Sequence, residues 1–342
     1  MDPEKEIYRM VQEAIANVPV IVLGSGASAA HGIPGMGALG HHLSKTAPPA
    51  TSTTDELARW SDFCSILPNT DLESALTKVA LSQDLTRHVV TSTWHYLVTH
   101  DVAVLRETLA NPDALPLTRL YRHLFRSTTR TLSVVTTNYD RVAEYAAEIA
   151  GFNTYLGFTS GMIGHRVSGA APVLMDGKLP ARTVNIWKVH GSFSWFEDSH
   201  GVVISLPPSE PPPVGMEPVI VTPGFDKYRR THKEPFRTII SNADKAIGAA
   251  SSFLFVGYGF NDEHIQPRIV ERCKDHEAPM ILLTKEISEK AHEFFQSGMC
   301  KRYLALEESA LGTRAYSDLF PGGLELAGHN IWQFDEFLSL FM

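Results

Sequence analysis

What the 342-residue chain lacks narrows its chemistry first. It has three cysteines, Cys64, Cys273 and Cys300, and no C-x-x-C pair. Three isolated thiols cannot supply a Cys₄ zinc site, and they do not build a disulfide framework, so a reducing compartment is expected. No apolar run reaches the ~18 residues that a membrane-spanning helix requires. The opening Met1-Asp2-Pro3-Glu4-Lys5-Glu6 lacks the basic-then-apolar order of a signal peptide, and a cytoplasmic location is the expectation. An excess of positive charge is missing too: 30 Lys and Arg stand against 38 Asp and Glu, for a net charge of −8. A nucleic-acid surface is therefore not indicated. The one clear basic cluster, Lys227, Arg229, Arg230, His232 and Lys233, reads as a solvated loop, with a phosphate or partner contact as the alternative. There is no H-E-x-x-H and no Walker A lysine motif, His41-His42 fits no metal-ligand spacing, and no clustered Asp/Glu metal site of a nuclease is evident.

What is present is an ordinary globular composition, 44% hydrophobic and 20% charged. Its most informative segment is Gly24-Ser25-Gly26-Ala27-Ser28-Ala29, which follows the apolar run Val20-Ile21-Val22-Leu23. This G-x-G-x-x-A spacing suits a dinucleotide-phosphate turn. Two glycines permit a sharp turn and close approach of a pyrophosphate, and the helix that follows aims free N–H groups at it. A Rossmann dehydrogenase would end a second strand with an acid about 20 residues further on. The corresponding stretch, His41 to Pro49, has no β-branched strand and no acid, so hydride transfer is not expected. Asp55 and Glu56 read instead as the start of a helix.

Apolar spacing predicts a helix over residues 3–17 and a helical pattern throughout from Thr53 to Arg126. Short, non-alternating apolar runs predict buried strands at 19–23, 131–136, 184–189, 219–222, 253–256, 280–283 and 331–334. Helices are predicted at 236–249, 263–273, 288–296 and from Asp335 to the end, with a proline-rich connector at 207–213. The fold class expected is α/β: a Rossmann-like, mostly parallel sheet with helices on both faces, forming a single domain over 1–342 with an all-helical module inserted at 46–128. In such a sheet ligands sit beyond the carboxyl ends of the strands. Gly24–Ser28, Asn138–Asp140, His190 and Gly257 each fall just after a predicted strand, so four separate loops are expected to meet at one crevice.

Those same segments resemble the sirtuins. Gly24-Ser25-Gly26-Ala27-Ser28 with Gly32-Ile33-Pro34 is similar to their NAD-binding opening, and Thr137-Asn138-Tyr139-Asp140 to their Gln-Asn-Ile-Asp segment. His190-Gly191-Ser192-Phe193 is similar to the segment carrying their catalytic histidine, and Val256-Gly257-Tyr258-Gly259 to the loop near the adenine-side ribose. The resemblance runs in order over about residues 18 to 290. The chain departs from the deacetylases in having Gly35-Met36-Gly37 where Asp-Phe-Arg is usual, and in lacking the two C-x-x-C pairs. Both losses resemble the sirtuin-like NADases of bacterial antiphage defence.

The resemblance implies hydrolysis of NAD⁺ to nicotinamide and ADP-ribose, with no zinc, in a homo-oligomer with a separately encoded HerA-type ATPase as a candidate partner. Deacylation, ADP-ribosyl transfer and NAD or ADP-ribose binding without turnover are the alternatives. Asn138 would contact the ribose and orient water, and His190 would be the general base, since an imidazole accepts a proton near neutral pH. Gly24, Ser25, Gly26, Ala27, Ser28, Gly257 and Thr284 would contact the cofactor. Asp140 would bind the carboxamide, although it also suits an N-cap for the helix after Arg141. Ser28 suits a phosphate or ribose contact or a cap, and Lys285 is a further candidate beside Thr284. Asp262 reads as a helix cap with a ribose contact as the minority reading, and Glu144 as a surface residue.

Overall fold

Short apolar runs whose alternate residues face opposite ways build the centre of the molecule. The computed structural model describes residues 3–169, 171–208, 211–222, 233–262 and 265–342. In chain order its strands are β1 Val20–Leu23, β2 Thr131–Thr136, β3 Asn153–Tyr155, β4 Gly164–His165, β5 Met175–Asp176, β6 Leu179–Pro180, β7 Thr183–Lys188, β8 Gly191–Glu197, β9 Val203–Ser205, β10 Glu217–Ile220, β11 Phe253–Val256, β12 Met280–Leu283, β13 Tyr303–Ser309, β14 Gly312–Ser317 and β15 Leu324–Ala327.

A nine-stranded sheet has the order β15-β14-β13-β12-β11-β1-β2-β7-β3. From β13 to β3 its neighbours are parallel, whereas β14 and β15 close one edge antiparallel. The alternation places Ile21, Leu23, Val134, Leu254 and Ile281 in one core. Val20, Val22, Val135, Phe253, Phe255 and Met280 lie in the other, against the helices Phe236–Gly248, Gln266–His276 and Glu289–Gln296. Each face is thus a covered apolar layer, as a parallel sheet demands. From β1 the chain runs outward to β2 and β7 on one side, then later to β11 and β12 on the other. The switch therefore falls between β1 and β11, where a crevice opens at the strand ends.

Between β1 and β2 the described elements are all helical, among them Met36–Ser44, Thr54–Ile66, Leu72–Lys78, Gln83–Ala110 and Pro116–Leu124. Thr53 and Glu56 form a reciprocal capping box, and Asp71 and Ser82 cap the next two helices. A third core joins these helices, through Leu39, Trp60, Phe63 and Trp94, to Phe193, Phe196 and Ile220 of a four-stranded antiparallel sheet, β10-β8-β9-β4.

Two expected strands differ. The run at 219–222 belongs to this antiparallel sheet, as β10 paired with β8, and not to the parallel one. The run at 331–334 is a turn leading into the helix Phe334–Phe341. Ile331 and Phe337 are buried there by helix packing, which an apolar run satisfies as well as a strand does. Among the described residues, no helix is long and apolar enough to cross a membrane.

Candidate functional site

The crevice at the β1–β11 switch is a cavity of about 680 Å³, within the range of ligand sites. Gly24, Ser25, Ser28, Asn138, Asp140, His190 and Gly257 all line it. Ile33, Pro34, Met36, Leu39 and Leu72 give it an apolar wall from the helical layer, and Asp71, Glu73 and Lys290 add charge at its margins. Gly26, Ala27 and Thr284 do not line it.

Gly26 and Ala27 have another task. Gly257 takes φ +59°, and a Cβ on it would overlap the backbone of Gly26 and Ala27, just as a Cβ on Gly24 would overlap the Gly257 carbonyl. The Gly26 N–H donates to the Gly257 carbonyl at 3.1 Å, and the Gly24 N–H to the Val256 carbonyl at 3.0 Å. The first glycine turn and the β11 loop are therefore locked backbone against backbone, a fit open only to glycine. Thr284 lies one strand beyond, where its hydroxyl donates to the Glu286 carbonyl at 3.0 Å.

Asn138 is built into the same turn. Its backbone N–H donates to Thr136 Oγ1 at 3.0 Å, and Thr136 Oγ1 donates to the Leu23 carbonyl at 3.0 Å. Its side-chain Nδ2 donates to the Gly24 carbonyl at 2.8 Å and to Ser28 Oγ at 3.0 Å. Because a carbonyl can only accept, the amide nitrogen must face Gly24, which leaves Oδ1 as the group available to a ligand or water. Ser28, 3% exposed, stands beside Asp140, and its hydroxyl helps hold that carboxyl down. Asp140 Oδ1 also accepts the Val142 N–H at 3.2 Å, so its capping role and its place in the cleft coexist.

Behind this row sits a charge that sequence reading missed. Lys188, the last residue of β7, is fully buried and donates to the Asp140 carbonyl. It also pairs with Glu144 at 3.2 Å. Glu144 is therefore not a surface residue: it is 6% exposed on a helix buried over Val142–Ala147, and burial, only partly offset by Lys188, pushes its carboxyl up to about 7. Burial also pushes Asp140 up, with Lys188 and the Ser28 bond opposing. Next along the loop, Arg141 makes a buried ion pair with Asp101 of the long helix Gln83–Ala110, at 2.8 Å from Nε and 2.5 Å from Nη2.

His190 occupies the tight turn between β7 and β8, with Gly191 at φ +95°. Its carbonyl accepts the Val221 N–H at 2.8 Å. Its Nε2 lies 2.9 Å from Asp262 Oδ2. Asp262 does cap, its Oδ1 accepting the Ile265 N–H at 3.3 Å, but it also lines the cleft against His190. The ring pairing joins residues 72 positions apart, so only the fold reveals it. Of the basic cluster, residues 227–232 lie outside the described residues, as does the predicted helix start at 263. Among the described residues, no group of three or more His, Cys, Asp or Glu is placed to hold a metal ion.

The site can be set beside known proteins. No curated protein matches the chain. A crystal structure of a Sir2 homologue in complex with NAD is 14% identical, covering 84% of this chain and 84% of that one, with a TM-score of 0.47. A structure concerned with the mechanism and regulation of Sir2 enzymes is also 14% identical, covering 88% and 92%, with a TM-score of 0.44. A complex of Sir2 with a p53 peptide and NAD⁺ is 12% identical, covering 99% and 97%, with a TM-score of 0.42. Over residues 132–299, from β2 to just beyond the helix Glu289–Gln296, the chain matches the family model of the SIR2-like domain.

Proposed function

We propose that the cleft binds NAD⁺ as substrate and hydrolyses its nicotinamide–ribose bond, releasing nicotinamide and ADP-ribose. The observation that carries this reading is the convergence of Gly24, Asn138, His190 and Gly257, from four strand ends, on one cavity. Nicotinamide leaves as a neutral ring, so the bond needs little acid catalysis. The site must fix the ribose as it becomes an oxocarbenium ion and supply an aligned water. Asn138 Oδ1, with its Nδ2 already held by Gly24 and Ser28, accepts a hydrogen from that water and aims its oxygen at the anomeric carbon. His190 takes the water's proton. Asp140 accepts from the carboxamide N–H₂, and the diphosphate lies along Gly24, Ser25 and Ser28.

The mixed lining of the cavity agrees with a substrate that carries both an apolar ring and charged groups. Ile33, Met36 and Leu39 give the cleft an apolar side against which the nicotinamide ring would pack. By the resemblance stated above, the reading extends to a cytoplasmic, oligomeric enzyme whose NAD⁺ consumption serves bacterial antiphage defence, with a HerA-type ATPase as a candidate partner.

The test is to incubate the full chain with NAD⁺, alone and with candidate partners, and to identify products by liquid chromatography and mass spectrometry. Nicotinamide and free ADP-ribose in equal amounts are expected. Asn138→Ala and His190→Ala should each lower turnover by about 10²-fold or more under conditions where circular dichroism shows the variant still folded. Acyl-ADP-ribose, a modified protein, or tight binding without nicotinamide release would each replace hydrolysis with the corresponding alternative.

A further inference from the structure

We propose that Asp262 is a positioning residue for His190, the two forming a carboxylate–imidazole dyad that serves the cleft. The proposal rests on the reading of His190 as the base. The residues come from different loops, one after β7 and one after β11, and both line the cavity. Each is nearly buried, 9% and 6% exposed, and their facing atoms, Nε2 and Oδ2, are 2.9 Å apart. Both are held from behind. The Asp262 carbonyl accepts the Gln266 N–H at 3.2 Å and its Oδ1 the Ile265 N–H at 3.3 Å, while the His190 carbonyl accepts the Val221 N–H at 2.8 Å.

Capping alone does not account for this geometry. A cap needs one carboxylate oxygen toward the helix, and Oδ1 supplies it. The second oxygen lies 2.9 Å from an imidazole nitrogen in the cleft wall. A carboxylate only accepts, so Nε2 carries the hydrogen and Nδ1 the basic lone pair. The carboxylate therefore selects one tautomer before substrate arrives. In the hydrolytic step, water oxygen bonds to the anomeric carbon as the carbon–nitrogen bond breaks. The electron pair of that bond goes to the nicotinamide nitrogen, cancelling its charge. The water's proton passes to Nδ1, creating an imidazolium beside the Asp262 carboxylate, and then to solvent. This is the orienting role that a buried aspartate plays toward a catalytic histidine in other hydrolases.

The experiment uses full-length protein labelled with ¹⁵N-histidine, with His190→Ala locating the His190 signals. Asp262→Asn keeps an oxygen for the Ile265 cap but removes the charge, and Asp262→Glu restores a carboxylate. Wild type and Asp262→Glu should show the Nε2–H tautomer, and Asp262→Asn a shift toward Nδ1–H. Nicotinamide release by Asp262→Asn should fall about 10²-fold in kcat with KM for NAD⁺ within about threefold, and Asp262→Glu should recover at least about tenfold. An unchanged His190 tautomer in Asp262→Asn overturns the dyad whether or not NAD⁺ is cleaved. So does wild-type kcat in that variant. A tautomer change in a protein that never cleaves NAD⁺ upholds the dyad and instead removes the hydrolase reading.

Discussion

Lys188 Nζ lies 3.2 Å from Glu144 Oε1, and both side chains are sealed from solvent behind the Asn138–Asp140 loop. A lysine at the end of a parallel strand would be costly if isolated, since a buried charge must be paired. Here it meets two carboxylate residues from the helix that follows β2 and from the loop leading into it. Its ammonium donates to the Asp140 backbone and its field lowers the ionisation cost of Asp140 and Glu144. The cation thus stands where it supports the acidic side of the cleft without lining it.

A pH dependence of stability follows from Glu144. Its carboxyl titrates at about 7 in the folded protein against 4.5 for the ordinary group. Below about pH 4.5 it is protonated in both states and contributes nothing. As pH rises from there to about 7, the unfolded chain loses this proton first, and folding is disfavoured by up to roughly 3 kcal/mol. Glu144→Gln cannot ionise. Its stability relative to wild type should therefore grow between pH 5 and pH 8, measured by urea denaturation at each pH. A difference that stays flat across that range would show that Glu144 is ionised throughout.

The glycine lock predicts a contrast between two conservative substitutions. Gly257→Ala places a methyl at φ +59° and into the backbone of Gly26 and Ala27. Left-handed strain alone costs about 1–2 kcal/mol, and the overlap requires the two loops to part as well. We expect a clearly lower melting temperature and weakened binding of ADP-ribose in calorimetry. Gly37→Ala, in the helix Met36–Ser44 with open space at its Cβ, should be neutral or stabilising by about 0.5–1 kcal/mol. Equal effects at the two positions would refute the lock.

This contrast also shows what the sequence makes legible. Gly24, Asn138, His190 and Gly257 can be assigned to one crevice because each ends a short apolar run, and strand ends of a parallel sheet share one side. Asp262 and Lys188 could not be placed this way. Their partners lie 72 and 44 residues away in sequence, and the pairing depends on which strands become neighbours. Glu144 did leave a trace: it is a carboxylate within Val142-Ala143-Glu144-Tyr145-Ala146-Ala147, an otherwise apolar stretch that the fold buries. The strands β14 and β15 escaped for a different reason. Gly312–Ser317 turns Thr313, Ala315 and Ser317 inward and Arg314 outward, so its buried face carries little apolar signal, whereas continuous apolar runs report only strands covered on both faces.

The buried pair of Asp101 and Arg141 predicts that the helical layer controls the site from a distance. Asp101 is 0% exposed and gathers four donors: the Arg141 N–H at 2.7 Å, Nε at 2.8 Å, Nη2 at 2.5 Å and the Tyr145 hydroxyl at 2.7 Å. Arg141 directly follows Asp140, so this carboxylate anchors the loop that carries Asn138 and Asp140 to the middle of the helix Gln83–Ala110. Asp101→Asn replaces acceptor oxygen with an amide whose own hydrogens face the guanidinium, and leaves a cation buried without a counter-charge. Breaking a buried pair in this way costs about 3–5 kcal/mol. Urea denaturation should show a loss of that size, and nicotinamide release should fall even under conditions where the variant remains folded. Asp101→Leu combined with Arg141→Met removes both charges and should recover most of the stability, yet activity should stay low, because the loop has lost its anchor. Full activity in that stable double variant would separate the ion pair from the geometry of the cleft.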